Sequence, residues 1–446
     1  MHVHSLGSTR RPSNFDFMKF EELKLIPVIL KALKDEGYEK PTSIQAKSIP
    51  LVLRGEDVLG SAQTGTGKTA AFSIPIIQNL IRDRHYDNRR RQLSALIVTP
   101  TRELAIQIDE SIKTYSKYTS IESTVIFGGV TQGKQVRALK NGVDILVATP
   151  GRLLDLMGQG YISLDNVKYF VFDEADRMLD MGFIHDIKKI LPKLPKERQS
   201  LFFSATMPPK ILELSQQILN KPKKVAVNPI SSTAQTIQQQ LYTTNKSSKG
   251  ALLLHILEDP DIEQALLFSR TKHGADRIVR NLRKKNIDSA AIHGDKAQNQ
   301  RQKALRQFKE GAIKVLVATD IAARGIDIDK LRYVINYDIP NEPETYVHRI
   351  GRCGRAGEEG IAISLCEPEE NAYVRDIEKL TKKRIPIVKE NPFPQTDKPM
   401  NEAEKKEFEQ EKRRRKQEFF ANRDKNRNKK TGQRSDKSGQ RRKKKR

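Results

Sequence analysis

The 446-residue sequence contains no tryptophan and only two cysteines, Cys353 and Cys366. Two cysteines in a chain of this length cannot form a disulfide framework, which indicates a reducing compartment, and we expect a cytoplasmic location. No apolar run approaches the roughly 18 residues that a membrane-spanning helix needs. Residues 1–17 lack the apolar core of a secretory signal, and no Cys/His cluster has zinc spacing. We therefore expect no membrane segment and no structural zinc.

Acidic residues are too few to balance the basic ones. The chain has 81 Lys and Arg but 55 Asp and Glu, and the net charge of +26 indicates a polyanionic partner, either nucleic acid or an anionic membrane surface. Residues 401–446 alone hold 20 basic and 8 acidic residues, a net charge of +12. Glu/Lys pairs predict a helix over 402–420, and the scarcity of apolar residues predicts disorder over 421–446. We interpret this tail as an RNA-binding arm; a merely solubilising terminus is the alternative.

Short apolar runs recur through the rest of the chain, and longer helix-favouring segments separate them. The runs are ALIVT (95–99), DILVAT (144–149), YFVFD (169–173), SLFFSAT (200–206), ALLFS (265–269), AAIHG (290–294), KVLVAT (314–319), YVINYD (333–338) and IAISLC (361–366). This alternation predicts βαβ units and parallel sheets covered on both faces. The tetrapeptide LVAT occurs twice, at 146–149 and 316–319, which indicates two related lobes.

Pro229 and a Ser/Thr cluster predict the boundary between the lobes within 225–240. The predicted organisation is an N-terminal extension (1–19), lobe 1 (20–228), a linker (229–236), lobe 2 (237–390) and a basic tail (391–446). Ligands of such sheets bind beyond the carboxyl ends of the strands, so the polar residues just after each strand are the candidates for function.

The stretch AQTGTGKT (62–69) has the composition of a phosphate-binding loop. Gly65 and Gly67 let backbone N–H groups turn toward phosphates, Lys68 reaches the β- and γ-phosphate oxygens, and the Thr69 hydroxyl binds Mg²⁺. The preceding DVLG predicts a strand and the following AAFSIPII a helix, which is the context that the motif requires. Ala62 stands where the usual pattern has glycine. A flexible Gly/Thr loop is the alternative interpretation.

Three carboxylates, Asp173, Glu174 and Asp176, follow the apolar run YFVF. Taken alone, they fit a solvated strand end or the first turn of a helix. A phosphate-loop enzyme, however, needs an apolar strand that ends in an aspartate holding Mg²⁺. We interpret Asp173 as that residue, and Glu174 as the group that orients and polarises the attacking water.

Residues 173–176 spell DEAD, and the chain resembles the DEAD-box ATP-dependent RNA helicases of helicase superfamily 2 over about residues 20–390. Further motifs follow in the order of that family: GYEKPTSIQ (37–45), PTREL (100–104), TPGR (149–152), SAT (204–206), LFSRT (267–271), QNQR (298–301), ATDIAARGIDI (318–328) and HRIGRCGR (348–355). The resemblance implies an α/β fold of two tandem RecA-like parallel-sheet lobes, with ATP and RNA in the cleft between them. Within the family the chain is most similar to the bacterial RhlE group, which implies work in ribosome assembly or RNA turnover.

The resemblance also implies an ATP and Mg²⁺ site that both lobes complete. Phe20 would pack on the adenine ring, Gln45 would recognise the adenine edge, and Asp327 would contact the ribose. The phosphate-loop residues that would bind ATP are Ala62, Gln63, Thr64, Gly65, Thr66, Gly67, Lys68 and Thr69. Arg352 and Arg355 of lobe 2 would stabilise charge on the γ-phosphoryl group. Generic RNA binding by a basic loop is the alternative for these two arginines.

The RNA contacts implied by the family are made to phosphates and 2′-hydroxyls, without sequence specificity. The residues are Thr101, Arg102, Gly129, Thr149, Arg152, Arg301 and Thr319. Asp176, Ser204, Thr206 and His348 would couple the state of ATP to closure of the lobes. Closure on bent single-stranded RNA would separate a few base pairs without long-range translocation. We expect RNA as the partner, ribosomal or RNA-turnover proteins as further partners, and a monomer.

Two other functions fit the same fold. One is an RNA clamp with little ATPase activity, and the intact Lys68, Asp173, Glu174 and Arg355 argue against it. The other is a DNA-translocating helicase of the same superfamily. The GYEKPTSIQ stretch and the DEAD spelling argue against that, because such relatives typically depart from both.

Overall fold

The computed structural model describes residues 18–62, 65–83, 91–227, 237–323, 331–354 and 360–399, and positions 404, 410, 411 and 414. The predicted linker and the predicted disordered segment 421–446 lie outside the described residues. Four candidate site residues also lie outside them: Gln63, Thr64, Asp327 and Arg355. Within the described part, no helix is long and apolar enough to cross a membrane.

Two parallel sheets form the centres of two α/β lobes, which confirms the predicted fold class. The seven-stranded sheet of lobe 1 has the order β3-β4-β2-β5-β6-β1-β7. Its strands are β1 (Val58–Ser61), β2 (Ala95–Val98), β3 (Ser123–Ile126), β4 (Ile145–Ala148), β5 (Tyr169–Phe172), β6 (Gln199–Ser204) and β7 (Lys223–Ala226). All of its strand pairs are parallel.

The six-stranded sheet of lobe 2 has the order β10-β11-β9-β12-β13-β8. Its strands are β8 (Gln238–Thr243), β9 (Ala265–Phe268), β10 (Ser289–Ile292), β11 (Val315–Ala318), β12 (Tyr333–Asn336) and β13 (Ile361–Cys366). Numbered from the first strand of its own lobe, this is the order of the first six strands of lobe 1. The LVAT repeat thus marks equivalent strands, β4 and β11, and the prediction of two related lobes is confirmed.

Helices connect the strands and cover both faces of each sheet. In lobe 1 they are α1 (Pro27–Asp35), α2 (Ser43–Leu53), α3 (Lys68–Asp83), α4 (Arg102–Tyr115), α5 (Gly133–Asn141), α6 (Pro150–Gly158), α7 (Ala175–Asp180), α8 (Ile184–Ile190) and α9 (Pro209–Ile218). In lobe 2 they are α10 (Lys249–Leu257), α11 (Lys272–Arg283), α12 (Gln298–Lys309), α13 (Asp320–Ala323), α14 (Pro343–Ile350) and α15 (Asn371–Thr381). Short 3₁₀ helices lie at Phe20–Leu23, Leu191–Lys193 and Pro368–Glu370.

The central strands are apolar along their whole length because they are buried on both faces. In β2, Ile97 packs in the core on one face of the sheet, whereas Leu96 and Val98 pack in the core on the other. Lobe 2 repeats the pattern in β11, where Leu316 and Val317 belong to opposite cores. Because the strands of each sheet are parallel, their carboxyl ends lie along one edge of the sheet. The functional motifs follow the strands at that edge.

All nine apolar runs form the strands that the sequence predicts, to within a residue or two at each end. Lobe 2 continues past Ile387, which bridges to Leu241 of β8. The Asn391 side-chain amide donates to the Thr243 carbonyl at 2.8 Å, and Asn245 accepts from the Asp397 N–H at 2.9 Å. The chain after α15 thus lies along the outer edge of β8 and leaves lobe 2 at the carboxyl ends of the strands.

Both cysteines are buried in lobe 2. Burial raises the pKa of Cys366 to about 12, so its thiol stays protonated at neutral pH. Cys353 is 1% exposed, and its thiol lies 3.1 Å from the carbonyl oxygen of Ile350. These environments fit packing rather than redox chemistry for both side chains.

Candidate active site between the lobes

Strand order separates the motifs of lobe 1 into two neighbouring groups along one edge. The strands β3, β4 and β2 lie side by side, and the candidate RNA-contact residues that follow them are Gly129, Thr149, Arg152, Thr101 and Arg102. The strands β5, β6 and β1 form the adjoining group, and the residues that follow them are Asp173, Glu174, Asp176, Thr206, Lys68 and Thr69. The topology alone therefore brings a candidate RNA surface and a candidate phosphate site next to each other.

The phosphate loop and the DEAD residues line one cavity of about 420 Å³, which Gly65, Gly67, Lys68 and Thr69 share with Asp173 and Glu174. Lys68 is 5% exposed, and its ammonium donates to the Ala62 carbonyl at 2.9 Å. The same ammonium lies 3.9 Å from the Asp173 carboxylate. Lysine, hydroxyl and carboxylate groups are thus gathered in one cavity.

Gln45 lies directly against the phosphate loop. Gly67 has a φ of +88°, and a Cβ on it would lie 2.4 Å from Nε2 of Gln45. That Nε2 donates to the Gly67 carbonyl at 3.2 Å, and the Thr42 hydroxyl donates to the Thr66 carbonyl at 2.8 Å. Glycine is required at 67 for its conformation and for the space that Gln45 occupies. The first turn of α2 and the phosphate loop therefore form one unit.

Two tyrosines, rather than Phe20, form the aromatic wall of this cavity. Tyr38 and Tyr115 line it, and their hydroxyls are 3.3 Å apart. Phe20 is 2% exposed and stacks on Tyr38, with ring centroids 6.3 Å apart and planes at 24°. Phe20 thus lies one ring behind the cavity surface, and the sequence prediction did not include Tyr38.

Burial governs the charge of the carboxylates. It raises the pKa of Asp173 to about 6, against the opposing effect of Lys68. Burial also disfavours the ionised form of Glu174, but Arg177, Lys68 and Arg352 outweigh it and lower the pKa of Glu174. Glu174 is therefore an ionised acceptor, whereas Asp173 is a carboxylate that a cation would stabilise strongly.

Glu174 is held in an unusual backbone conformation. It has φ 56° and ψ 50°, a left-handed geometry that costs about 1–3 kcal/mol for a non-glycine residue. Its carboxylate pairs with the Arg177 guanidinium at 2.6 Å, and both side chains are at most 5% exposed. The strain and the ion pair together fix the direction of the carboxylate. Arg352 of lobe 2 is itself 5% exposed and acts on Glu174 across the cleft.

Asp176 connects the DEAD residues to the end of β6. Its carboxylate accepts from the backbone N–H and the hydroxyl of Thr206 at 2.9 and 3.0 Å, and its own N–H donates to the Ser204 hydroxyl at 3.2 Å. Burial disfavours ionised Asp176, but Arg177, Lys68 and His348 outweigh it and lower the pKa of Asp176. Asp176, Thr206 and His348 line a second cavity, of about 430 Å³, between the lobes. The four candidate coupling residues thus meet at one place.

Three arginines crowd the candidate RNA surface. Gly129, at φ 77°, lies under the Arg102 guanidinium, which a Cβ there would meet at 2.3 Å. The Arg152 guanidinium donates to the Val130 carbonyl at 3.0 Å and to Gln135 at 3.2 Å. Burial lowers the pKa of Arg102, and the nearby Arg301 adds to the effect. An anionic ligand would relieve this repulsion.

The lobes are joined at this surface by Glu103, which the sequence prediction did not select. Its carboxylate pairs with Arg301 of lobe 2 at 2.9 Å and accepts from the Gln298 amide at 2.9 Å. Arg102 in turn donates to Gln298 at 3.4 Å. The remaining candidates lie close by at strand ends: Thr149 precedes α6, and Thr319 precedes α13.

Sequence spacing could have identified one further residue. Arg177 is three residues after Glu174, the spacing at which oppositely charged side chains meet on a helix. Glu103 and Gln298 lie inside the quoted motifs PTREL and QNQR, but 195 residues separate them. No local signal in the sequence joins that pair.

Two family models match the chain. One is described as DEAD/DEAH box helicase and matches residues 42–214; the other is described as helicase conserved C-terminal domain and matches residues 248–357. The ATP-dependent RNA helicase CshA of Limosilactobacillus reuteri is 43% identical over 368 residues, which cover 82% of this chain and 73% of that protein. The DEAD-box ATP-dependent RNA helicase CshA of Bacillus subtilis is 43% identical over 371 residues, covering 83% and 74%. These relatives carry the name CshA, and the placement in the RhlE group stays a prediction.

Solved structures are similar over the same part of the chain. S. cerevisiae Dbp5 bound to RNA and ADP BeF3 is 32% identical with a TM-score of 0.74, covering 83% of this chain and 95% of that one. A DEAD box protein of Methanococcus jannaschii is 41% identical, yet its TM-score is 0.50, at coverages of 84% and 99%. The M. jannaschii protein thus has the higher sequence identity, whereas Dbp5 has the higher TM-score. The chain as a whole is therefore more similar in structure to the RNA-bound Dbp5 than to the M. jannaschii protein.

Proposed function

We propose a division of labour between the two lobes of this chain, which belongs to the DEAD-box family of ATP-dependent RNA helicases. Lobe 1 binds ATP and prepares the attacking water. Lobe 2 completes the site with arginine when RNA has drawn the lobes together. The observation that carries the proposal is that buried Arg352 of lobe 2 lines one small cavity together with Arg177 of lobe 1, the ion-pair partner of Glu174.

The donor set of the cavity fits ATP together with Mg²⁺. Among the described residues, no group of three or more His, Cys, Asp or Glu side chains could hold a metal alone. Mg²⁺ is commonly bound by one or two carboxylates with substrate phosphates and water, and the Asp173 carboxylate and Thr69 hydroxyl line this cavity. When bound there, Mg²⁺ would neutralise charge on the phosphates. The carboxylate of Asp173, which burial disfavours as an anion, would be stabilised in its ionised form.

Hydrolysis then depends on groups that the chain itself positions. Lys68 exchanges its contact with the Ala62 carbonyl for the β- and γ-phosphate oxygens. The Glu174 carboxylate accepts a hydrogen bond from the attacking water and takes its proton as general base. The ion pair with Arg177 holds this carboxylate in place. Arg352 stabilises the charge that develops on the γ-phosphoryl group. Arg355, outside the described residues, is proposed for the same role.

Coupling to RNA runs through contacts between the lobes. The Glu103–Arg301 pair and the Arg102–Gln298 bond join the lobes at the candidate RNA surface. At the ATP side, His348 lines one cavity with Asp176, and Arg352 lines another with Arg177. RNA that engages both lobes would therefore favour the arrangement in which the ATP site is complete. Release of phosphate would reopen the lobes after only local strand separation.

ATP hydrolysis with RNA, with DNA and without nucleic acid tests this proposal. We expect stimulation by RNA alone, because the contacts implied for the strand include its 2′-hydroxyls. Glu174→Gln is the control: it should bind ATP and RNA and barely hydrolyse, since general-base catalysis contributes about 10²–10⁴-fold. Equal stimulation by DNA would support a DNA-translocating helicase. Wild-type turnover by Glu174→Gln would remove Glu174 from the mechanism.

A further inference from the structure

Lobe 2 contains a lysine–aspartate pair close to the positions equivalent to Lys68 and Asp173. Lys249 begins α10 after β8, as Lys68 begins α3 after β1, and the two strands hold the same place in the shared strand order. Asp338 follows β12, the equivalent of β5, one residue later than Asp173 follows β5. The Lys249 ammonium lies 3.8 Å from the Asp338 carboxylate, against 3.9 Å for Lys68 and Asp173. The geometry of a phosphate site is thus partly present in lobe 2.

A carboxylate of the chain itself fills the position in front of Lys249. Oε2 of Glu370 lies 2.7 Å from the Lys249 ammonium, and Glu367 lies 3.7 Å from it. Lys249 is 2% exposed and Glu370 is 1% exposed, so water does not reach the pair. In lobe 1 the corresponding side of Lys68 opens into the ATP cavity.

The connection before Lys249 cannot cradle a phosphate. Residues 244–248 read TNKSS, without glycine, and none of them has a positive φ. Gly65 and Gly67 of lobe 1 both do. Asn245 instead accepts the N–H groups of Thr396 and Asp397, each at 2.9 Å. This segment therefore binds the end of lobe 2 rather than a nucleotide.

The filled site is bonded directly to residues 269–271, which end the motif LFSRT. The resemblance to the helicase family implies that this motif contacts RNA, and residues 269–271 are here called the RNA-contact loop. Glu370 accepts from the Arg270 guanidinium at 2.5 Å through Oε1, the oxygen that does not face Lys249. Asp338 accepts from the Arg270 N–H at 2.8 Å and from the Ser269 hydroxyl at 3.1 Å. Its bonds to Glu370 and to the Ile339 carbonyl, the latter at 2.9 Å, hold the Arg270 guanidinium against lobe 2, although 40% of the side chain is exposed.

We infer that Glu370 takes in lobe 2 the place that a nucleotide phosphate takes in lobe 1, and that through it Lys249 and Asp338 position the RNA-contact loop 269–271. Arg270 is then a positioning residue of this loop. The inference rests on the proposed function in one respect, namely that this loop contacts RNA. The assignment of Glu370 as an internal substitute for phosphate does not depend on RNA.

The charges explain why Glu370 is needed. A buried ammonium requires a close counter-charge, and the next carboxylates lie 3.7 and 3.8 Å from the Lys249 ammonium, against 2.7 Å for Glu370. Burial raises the pKa of Glu370, and the bond to Lys249 opposes that shift. Truncation of Glu370 would leave Lys249 facing a small anion-sized space and would release Arg270.

The first measurement needs no RNA. Glu370→Ala should unfold at a lower temperature than the parent chain, and sodium acetate should raise its unfolding temperature relative to sodium chloride at equal ionic strength. The parent chain should show no such difference. Tyr346→Phe is the matched control, because it removes another fully buried bond of lobe 2, to Gln239 at 2.9 Å. The inference that Glu370 takes the place of a phosphate would be overturned by either of two results. One is that acetate does not raise the unfolding temperature of Glu370→Ala, and the other is that it raises that of Tyr346→Phe by the same amount.

The second measurement is RNA-stimulated ATP hydrolysis by the same variants. Glu370→Ala should raise the RNA concentration for half-maximal stimulation about tenfold, the size expected for a lost charged hydrogen bond, with kcat at saturating RNA nearly unchanged. Acetate should restore part of the loss. Glu370→Gln, which keeps the side-chain volume, should shift in the same direction if Glu370→Ala does not fold. If Tyr346→Phe shifts the RNA concentration for half-maximal stimulation equally, the effect reflects the general stability of lobe 2 and not the position of the loop.

The two proposals fail in different ways. A parent chain that RNA does not stimulate would contradict the proposed function while leaving the acetate test of Glu370 intact. A parent chain that RNA stimulates, with Glu370→Ala unchanged in its RNA dependence, would contradict the positioning role alone.

Discussion

The two lobes share six strands in one order and a lysine–aspartate pair at nearly the same separation, yet only lobe 1 has a cavity in front of its lysine. Two small differences account for this. Gly65 and Gly67 of lobe 1 have the positive φ that a phosphate loop uses, and Glu370 occupies the place in front of Lys249 in lobe 2. A fold supplies positions, and the residues at those positions decide the chemistry.

The lobes also differ in what their carboxylates face. Asp173 and Glu174 of lobe 1 are each 2% exposed but line a cavity of about 420 Å³. Glu370 and Glu367 of lobe 2 instead face Lys249, at 2.7 and 3.7 Å. The same kind of group is therefore poised for a ligand in one lobe and already satisfied in the other.

Exchanging each lysine for methionine is the strongest way to test this difference. Lys68→Met should lower kcat at least about 10²-fold, the cost of removing one preorganised group that stabilises transition-state charge, with little loss of stability. Lys249→Met should lower the free energy of unfolding by about 3–5 kcal/mol, because it leaves buried carboxylates unpaired. ATP hydrolysis and urea unfolding of both variants measure the two effects. Loss of hydrolysis in a folded Lys249→Met protein would contradict the assignment of lobe 2.

The tail gives a second, smaller difference between the lobes. Only lobe 2 continues into residues 401–446, with their net charge of +12. If the tail binds RNA, its deletion should weaken RNA binding about tenfold at low salt and reduce the steepness of the salt dependence, since fewer counterions are released. Hydrolysis at saturating RNA should be unchanged. Affinity and salt slope equal to those of the full chain would make the tail a solubilising terminus.

Sequence pattern predicted every central strand and one edge strand, β10, and missed the other three edge strands. The missed strands, β3, β7 and β8, are all edge strands of their sheets. An edge strand is only partly covered, so it carries polar residues such as the QQQ of β8 and the lysines of β7 and lacks a continuous apolar run. Helices cover both faces of the central strands, so these strands are apolar along their whole length, and a continuous apolar run can be recognised in the sequence.

The candidate site likewise contains residues that the sequence predicted and residues that it did not. Lys68, Gln45 and Asp176 belong to short motifs whose spacing is fixed by one turn or one strand end, and the structure brings each to the cleft. The partners that join distant segments were not predicted. Glu103 with Arg301 depends on the docking of two lobes, and Lys249 with Glu370 on the closure of a whole sheet. Such pairs are set by tertiary geometry rather than by local pattern.

The smallest effect is expected at the ion pair that holds the lobes together. Glu103 is 4% exposed and Arg301 11% exposed, and their contact at 2.9 Å exists only when lobe 1 and lobe 2 are adjacent. A double-mutant cycle with Glu103→Gln and Arg301→Gln should therefore give a coupling of about 1 kcal/mol in RNA affinity when a non-hydrolysable ATP analogue is present. In the isolated protein, the same cycle measured by unfolding should give a smaller coupling, because the lobes can separate. The pair of Lys113 with Asp109, at 2.6 Å within lobe 1, is the control: its coupling should not depend on the nucleotide. A Glu103–Arg301 coupling that is equally insensitive to nucleotide would mean that the contact does not report closure of the lobes.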